Sequence, residues 1–359
     1  MSKKSKHNIV RRYDIDSIRV IALFLLIFYH IAVAFQPWAS DFLFIENTDG
    51  LLKYWFLMEM LNIWRIPILF VVSGMGVFFA IKKRNLIQMY MDRSLRILIP
   101  LIFGSFFIYP ICVYLFSNYY EKEFLYYPYP GHLWFLVNIF LYAILIFPIF
   151  NYIKNKQKFI AFISKITNYP FGLIILFSVP MMIQAFIVNP EYYASFAFTP
   201  HGLFVGLICF ILGYLFVSTN QNFWINAEKL RFVYLGLGIS MYFFRILNYD
   251  SEIIEISQQV SNILAAFEAS NWILSIFGFG TKYLNKSSKI LNFFSKSVYP
   301  IYIIHFPVQF FLSSIIFPIN INAEIKFLLL LISTLTMCIF IYEIIKHIIW
   351  FRLFFGIKN

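Results

Sequence analysis

The chain has 359 residues, of which 61% are hydrophobic, 21% aromatic and 13% charged, and its mean hydropathy is +0.75. Soluble domains are about half apolar and about a quarter charged, so this composition excludes a water-facing globule, a disordered chain and a small disulfide-bonded scaffold. The formal net charge of +12 does not by itself indicate nucleic-acid binding, because its meaning depends on where the basic residues lie. The composition predicts an integral membrane protein that crosses the bilayer many times.

Apolar runs that are long enough to cross a bilayer occur ten times along the chain. A spanning helix needs about 20 mostly apolar residues, and the short loops leave no room for a separate soluble domain. We therefore predict an all-α bundle of about ten transmembrane helices, which forms a single domain over residues 1–359. The predicted spans are roughly 17–37, 60–81, 95–117, 132–151, 170–188, 202–218, 232–248, 260–280, 292–317 and 325–349.

The positions of lysine and arginine orient the predicted spans. With the N-terminus in the cytoplasm, ten spans return the C-terminus there, and 24 of the 29 Lys and Arg residues then fall in cytoplasmic segments. Cytoplasmic loops carry this kind of excess, so we predict that both termini are cytoplasmic. The positive charge then serves topology and attraction to anionic membrane lipid, and we expect no nucleic-acid partner.

The first span carries two ionisable residues, which are candidates for a functional site because charged groups are costly inside a bilayer. Arg19 and His30 are 11 residues apart, close to three helical turns, so they share one face of the helix. At 1.5 Å per residue they are separated by roughly 16 Å along the axis. The alternative is a structural role, in which a neighbour satisfies His30 and Arg19 anchors the helix end.

The second span carries Arg65, close to Pro67. A buried arginine needs a carboxylate, a ligand or a route to the interface. Glu59 lies near the outer end of the same span and is a possible partner for Arg65 or His30. We predict catalytic roles for Arg65 and Glu59; the alternative is that Arg65 extends to the outer interface.

Arg93 and Arg96 lie three residues apart at the start of the third helix and therefore face the same way. Together with Arg19 they could bind phosphate groups, because guanidinium groups suit bidentate phosphate contacts. Topological anchoring by positive charge explains the same residues without any phosphate. No residue pattern has the spacing of metal ligands, so we expect no metal site.

The predicted outer loops are rich in aromatic residues and proline, at 124–130 and 189–193. An aromatic belt at the membrane interface explains this composition. A surface that faces carbohydrate is the alternative, because the faces of sugar rings stack on aromatic rings.

Six motifs in chain order resemble the membrane acyltransferase-3 family and cover almost the whole chain. Within that family the chain is most similar to the branch of the osmoregulated periplasmic glucan succinyltransferase, glucan biosynthesis protein C. Each motif is weak alone, and the resemblance rests on their common order. The motifs are Tyr13-Asp-Ile-Asp-Ser-Ile-Arg19 with His30, Arg65 before Phe70-Val-Val-Ser-Gly74, Arg93-x-x-Arg96 with Pro100, His132-Leu-Trp-Phe-Leu136, Tyr302-Ile-Ile-His305-Phe-Pro307, and Tyr342-Glu343 with Leu353-Phe-Phe-Gly356.

The resemblance implies an O-acyltransferase of the bacterial inner membrane. Such an enzyme moves an acyl group from a cytoplasmic acyl-CoA, for example acetyl-CoA or succinyl-CoA, to a hydroxyl of an extracytoplasmic glycan. The resemblance also implies that Arg19 and His30 are essential and that Arg93 and Arg96 contribute. We hypothesise that the donor phosphates dock on the arginines and that the pantetheine arm reaches His30, which acts as general base or as covalent acyl carrier.

Three further residues, His132, Trp134 and His305, are assigned to substrate binding, and either His305 or Glu59 could orient His30. We expect acyl-CoA as a co-substrate and no permanently bound cofactor. A transporter of a small anion or a lipid is the main alternative, because buried arginine and broken helices also suit carriers. A scaffold in an envelope complex is the third class, and it predicts no dependence on His30.

Overall fold

The computed structural model describes residues 11–219, 221–251 and 256–357, and within these ranges the chain is helical and contains no strand. Eight helices are long and apolar enough to cross a membrane, and two bent helix pairs raise the number to ten if each pair is one span. The predicted all-α, multi-pass membrane architecture is therefore confirmed.

We number the helices in chain order. The first half of the chain forms α1 (Tyr13–Val33), α2 (Trp55–Ile81), α3 (Leu86–Tyr119), α4 (Trp134–Ile153), α5 (Gln157–Asn168) and α6 (Gly172–Val188). The second half forms α7 (Pro200–Ser218), α8 (Asn222–Lys229), α9 (Arg231–Ser251), α10 (Gln258–Phe279), α11 (Lys289–Ile316), α12 (Ala323–His347) and the short α13 (Ile349–Phe354). Two π-helical turns, Ser94–Leu98 and Gly104–Ile108, lie within α3, and a third, Gly280–Leu284, follows α10.

Several helices extend beyond the apolar runs that predicted them, because polar residues continue the helix. The third span was expected to begin at 95, whereas α3 begins at Leu86. Asn85 caps that start in a reciprocal pair of hydrogen bonds with Gln88, which satisfies two of the otherwise free backbone N–H groups.

The first helix, by contrast, ends earlier than predicted. The first span was expected over 17–37, whereas α1 ends at Val33, ahead of Pro37.

The fifth and seventh predicted spans each belong to a bent pair. The axes of α5 and α6 meet at 105°, and those of α8 and α9 meet at 61°. The bend between α5 and α6 contains Pro170, which cannot continue a helix in the usual way. At 1.5 Å per residue, the 17 residues of α6 cover about 26 Å, slightly less than the hydrocarbon core of a bilayer.

The close approach of α2 and α7 is made possible by glycine. A Cβ atom at Gly74 would overlap the carbonyl oxygen of Phe210, and one at Gly213 would overlap that of Val71. Small residues let two membrane helices pack backbone to backbone. This contact holds α2 rigidly inside the bundle, where it carries several residues of the candidate site.

Helices α1 and α11 run in parallel and contact each other along their length. Arg19 Nη2 donates a hydrogen bond to the Ser295 carbonyl at 3.1 Å, and Gln309 Nε2 donates to the His30 carbonyl at 2.9 Å. We call the side of the bundle where α1 begins the near side, and the side where it ends the far side. The C-terminal segment returns to the near side, where Gly356 lies against Tyr299.

Candidate active site

A cavity of about 800 Å³ lies in the far half of the bundle. Its walls come from α1, α2, α3, α4 and α11, and from the three far-side loops that follow α1, α3 and α6. Most of the lining is aromatic or aliphatic. The ionisable and amide side chains in this lining, apart from tyrosine and Cys112, are His30, Glu59, Asn62, Arg65 and His132. A mostly apolar cavity with a few convergent polar groups is the usual form of a small-molecule site.

His30 and His305 form a hydrogen-bonded pair at the wall of the cavity. His30 Nδ1 lies 3.0 Å from His305 Nε2, and His305 Nδ1 lies 2.7 Å from the carbonyl oxygen of Tyr302. A carbonyl only accepts, so the proton of a neutral His305 is on Nδ1 and its Nε2 accepts from His30 Nδ1–H. This assignment leaves the lone pair of His30 on Nε2, the ring nitrogen not used in the pair.

A third histidine, His132, lies beside this pair, just before the start of α4. Its Nε2 lies 3.0 Å from the Ile303 carbonyl, and its ring stacks on Phe306 at 4.5 Å between centroids. Tyr302 donates a hydrogen bond to the His132 carbonyl at 2.6 Å. His132 Nδ1 is buried and has no hydrogen-bond partner. These contacts fix the ring beside His30 and against the same aromatic surface.

Arg65 lies on the cavity wall and is buried, with 3% of its surface exposed. Its guanidinium carbon lies 3.7 Å from the centre of the Tyr29 ring. Its Nε and Nη1 have no hydrogen-bond partner, and within the described residues no carboxylate lies within 4.0 Å of it. A cation–π contact offsets only part of the cost of burying a charge, so this guanidinium is suited to an anionic or carbonyl oxygen from a ligand.

Glu59 does not pair with Arg65 or His30 as the sequence suggested. Its carboxylate accepts from Trp55 Nε1 at 2.7 Å and pairs with Arg245 Nη1 at 3.2 Å. Arg245 Nε in turn pairs with Glu268 at 2.8 Å, which joins α2, α9 and α10. Glu59 pairs with Arg245 and not with either possible partner inferred from sequence, because α9 brings an arginine to the same region.

The far-side loop after α6 is attached to this network by Tyr192. Its hydroxyl lies 3.1 Å from both Glu59 carboxylate oxygens, and Asn62 Nδ2 donates to it at 3.3 Å. Burial, and then the neighbouring Glu59 charge, raise the pKa of the Tyr192 hydroxyl above its usual value. The hydroxyl therefore stays protonated at neutral pH and acts as a donor to Glu59.

The arginines of the near side have a different environment. Arg96 Nε and Arg84 Nη1 both pair with Asp92 at 3.0 Å, whereas Arg93 has no ion pair within the described chain. Arg19 pairs with Asp16 at 3.1 Å. These residues do not line the cavity. Arg93 interacts electrostatically with Asp92 and, more weakly, with Tyr299, which lies one helical turn before the cavity residue Tyr302.

A family model described as an acyltransferase domain matches residues 12–343. The chain belongs to the acyltransferase-3 family. No curated protein and no solved structure matches it. Family membership supports an acyltransferase, and the eight to ten candidate membrane helices make it a multi-pass membrane acyltransferase.

The structure of this acyltransferase brings together five of the residues proposed from sequence. His30, Glu59, Arg65, His132 and Trp134 line one cavity. His305, by contrast, is fully buried and contacts His30 from behind without lining the cavity. This placement favours the alternative in which His305 orients His30. The catalytic roles of His30, Glu59 and Arg65 stay predictions. The donor-binding roles of Arg19, Arg93 and Arg96 stay predictions as well.

Sequence reasoning did not identify three partners in the acyltransferase site, namely Asn62, Tyr192 and Glu268. Glu268 carried a usable signal, because a carboxylate inside an apolar span needs a cation, and Arg245 in the preceding span is one. Asn62 lies three residues from both Glu59 and Arg65, which puts it beside each of them on the helix surface. Tyr192 was considered only as part of an aromatic loop.

Proposed function

We propose that this acyltransferase moves an acyl group from a cytoplasmic acyl-CoA to a hydroxyl of an extracytoplasmic glycan. The observation that carries the proposal is the arrangement of His30, which lines the cavity and uses its Nδ1 in a hydrogen bond to His305. A neutral imidazole held in this way presents Nε2 as a base or a nucleophile.

The near side is proposed to be cytoplasmic and the cavity to face the outer half of the membrane. The basic residues support this orientation, since Arg19, Arg84, Arg93 and Arg96 all belong to the near side. Positive charge is retained on the cytoplasmic side of membrane proteins. The proposed location is the bacterial inner membrane, in keeping with the motif resemblance.

In the proposed reaction the acceptor hydroxyl oxygen attacks the thioester carbonyl carbon while His30 Nε2 takes the hydroxyl proton. The new C–O bond forms first, and the carbonyl oxygen carries the negative charge of the tetrahedral intermediate. The C–S bond then breaks, and the thiolate of CoA receives the proton from His30, which gives an ester and free CoA. Arg65 is the proposed electrostatic partner of the oxyanion, because its Nε and Nη1 are buried without a hydrogen-bond partner.

The donor is proposed to enter from the near side. Arg93, Arg96 and Arg19 would hold its phosphates, and of these only Arg93 has no carboxylate within 4.0 Å in the described chain. From Ser295, beside Arg19, to His305 is ten residues of α11, or about 15 Å. Tyr299 has a buried hydroxyl without a partner on that path and is the residue that a passing pantetheine arm would contact.

The acyl group and acceptor follow the motif resemblance to the glucan biosynthesis protein C branch. The proposed acyl groups are succinyl and acetyl, and the proposed acceptor is a glycan outside the cytoplasm. The aromatic cavity supports a sugar acceptor, since Trp38, Trp55 and Trp134 all line it and sugar rings stack on indole faces.

The test is mass spectrometry of surface and periplasmic glycans from a deletion strain, complemented with the wild type or with His30→Ala. We expect an ester that only the wild type restores, because general-base catalysis contributes about 10²- to 10⁴-fold. His347→Ala is the matched control, since His347 is exposed at the end of α12 on the near side. Full complementation by His30→Ala, with normal membrane insertion, would contradict the proposal.

The covalent version of the mechanism uses the same lone pair and can be tested separately. Purified protein is incubated with radiolabelled acetyl-CoA in the absence of acceptor and then quenched. Label on His30 that a later addition of acceptor removes would identify an acyl-histidine intermediate. If no label is found on the protein, and ester still forms when acceptor is added, the result favours His30 as a general base.

Transport is the competing function. A carrier of acyl-CoA or of another anion would move labelled substrate into proteoliposomes without forming an ester. Uptake by the wild type that His30→Ala does not reduce, together with unchanged glycans, would favour the carrier.

A further inference from the structure

Helix α2 presents a polar row to the cavity. Glu59, Asn62 and Arg65 follow one another at three-residue spacing, and all three line the cavity. Residues at this spacing are neighbours on a helix surface, about 4.5 Å apart along the axis. Trp55 lies one turn before Glu59 and also lines the cavity. We call these four residues the α2 row.

Trp55, Glu59 and Asn62, which we call the outer α2 row, are held in place by hydrogen bonds. Glu59 is fixed by Trp55, by Arg245 and by the Tyr192 hydroxyl. The Asn62 amide contacts the same hydroxyl at 3.3 Å. A carboxylate, an amide and a phenol therefore meet at one point of a wall that is otherwise aromatic, with Trp38 packed edge-on against Trp55 at 4.7 Å between ring centroids.

We infer that the outer α2 row and Tyr192 form the subsite that binds the acceptor through its hydroxyl groups. This inference rests on the proposed function and names the class of its acceptor as a neutral, hydroxyl-rich ring. Carboxylate and amide oxygens accept from sugar hydroxyls, and the Asn62 amide also donates. Trp55 and Trp38 supply the apolar faces on which such a ring stacks.

The α2 row leads from the proposed acceptor subsite towards the proposed reactive residues. The row passes along α2 from Trp55 to Arg65, and Arg65 contacts Tyr29, the residue that precedes His30. A ring bound between Trp55 and Asn62 therefore occupies the same cavity as His30 and the proposed oxyanion partner, Arg65. The polar groups that bind the acceptor and the group that activates it lie on neighbouring walls of one cavity.

The test uses purified full-length protein and a neutral glucose disaccharide as the probe, with its per-O-methylated form as a control ligand that cannot donate hydrogen bonds. Tryptophan fluorescence measures binding, and ester formation from acetyl-CoA measures transfer. The variants are Glu59→Gln and Tyr192→Phe. Glu324→Gln is the matched control, because Glu324 pairs with Lys53 and lies outside the cavity lining.

We expect both variants to raise the KM for the disaccharide, Glu59→Gln by roughly ten-fold or more, because a hydrogen bond to a charged group is lost. The KM for acetyl-CoA should stay unchanged, and Glu324→Gln should match the wild type. Tyr192→Phe keeps the Glu59–Arg245 pair, so it tests the subsite if Glu59→Gln does not fold.

The outcomes separate the subsite from the proposed function. Transfer by the wild type with an unchanged disaccharide KM in both variants would overturn the subsite and leave the acyltransferase reaction standing. Binding of the disaccharide that Tyr192→Phe weakens, without any transfer by the wild type, would support the subsite and count against the proposed reaction. Equal binding of the per-O-methylated disaccharide would overturn recognition through hydroxyl groups.

Discussion

Two arginines in the membrane-spanning helices, Arg65 and Arg245, have opposite surroundings. Arg245 pairs with Glu268 at 2.8 Å and with Glu59 at 3.2 Å, so its charge is balanced within the protein. Arg65 is more deeply buried and contacts Tyr29, and in the described chain no carboxylate lies within 4.0 Å of it. A paired arginine holds helices together, whereas an unpaired one costs stability until a ligand arrives. The comparison therefore distinguishes Arg245, which holds the helices together, from Arg65, which lines the cavity and is available to a ligand.

The largest expected effect is on stability, from Arg245→Met. This change leaves the buried Glu268 and the half-buried Glu59 near each other without a cation, and breaking a buried ion pair typically costs about 3–5 kcal/mol. We expect a large fall in the thermal unfolding temperature in detergent. An unfolding temperature equal to that of the wild type would show that the triad does not hold α2, α9 and α10 together.

The matched change Arg65→Met should have the reverse profile. We expect transfer activity to fall by about 10²- to 10³-fold, as for loss of an oxyanion donor. The unfolding temperature should stay equal or rise, because an unsatisfied buried charge is removed. Rates of ester formation and thermal unfolding are measured on the same preparation. A loss of stability as large as that of Arg245→Met would place Arg65 among the structural residues.

A smaller effect is expected at His305, which we regard as a positioning residue for His30. Loss of the partner that orients a metal-ligating histidine typically costs about 10- to 100-fold, and by analogy we expect His305→Ala to lower kcat by about that amount. His305→Gln should recover part of the activity, because the amide oxygen can accept from His30 Nδ1–H. Equal kcat values for the Ala and Gln variants, with both folded, would argue against orientation by hydrogen bonding.

The smallest effects are expected on the near side. Arg93→Gln should raise the KM for acyl-CoA by roughly ten-fold through loss of a charge-assisted hydrogen bond. Arg96→Gln should raise it less, because Arg96 already shares Asp92 with Arg84. Steady-state kinetics with acetyl-CoA measure both, and Lys158→Gln, at an exposed position of α5, is the control. An unchanged KM for Arg93→Gln would leave topological anchoring as the role of these residues.

The all-α membrane architecture was predictable, because long apolar runs indicate spanning helices, whereas the two bent helix pairs and the helix ends depend on local contacts. His30 and Arg65 were identified because an ionisable residue in a span is conspicuous. The partner of Arg245 was not identified, since α2, α9 and α10 meet only in three dimensions. The same reason explains Glu59, which pairs across helices with Arg245 and not along α2 with Arg65.

The hydrogen bond between His30 and His305 also has a consequence for biosynthesis. The two residues are 275 positions apart in the chain. At about 5–20 residues per second, a ribosome adds His305 roughly 14 to 55 s after His30. During that interval α1 is already made while the imidazole that fixes the tautomer of His30 does not yet exist. The hydrogen bond that orients His30 therefore cannot form until α11, the penultimate long helix, has inserted. The proposed acyl transfer is thus delayed until assembly of the bundle is nearly finished.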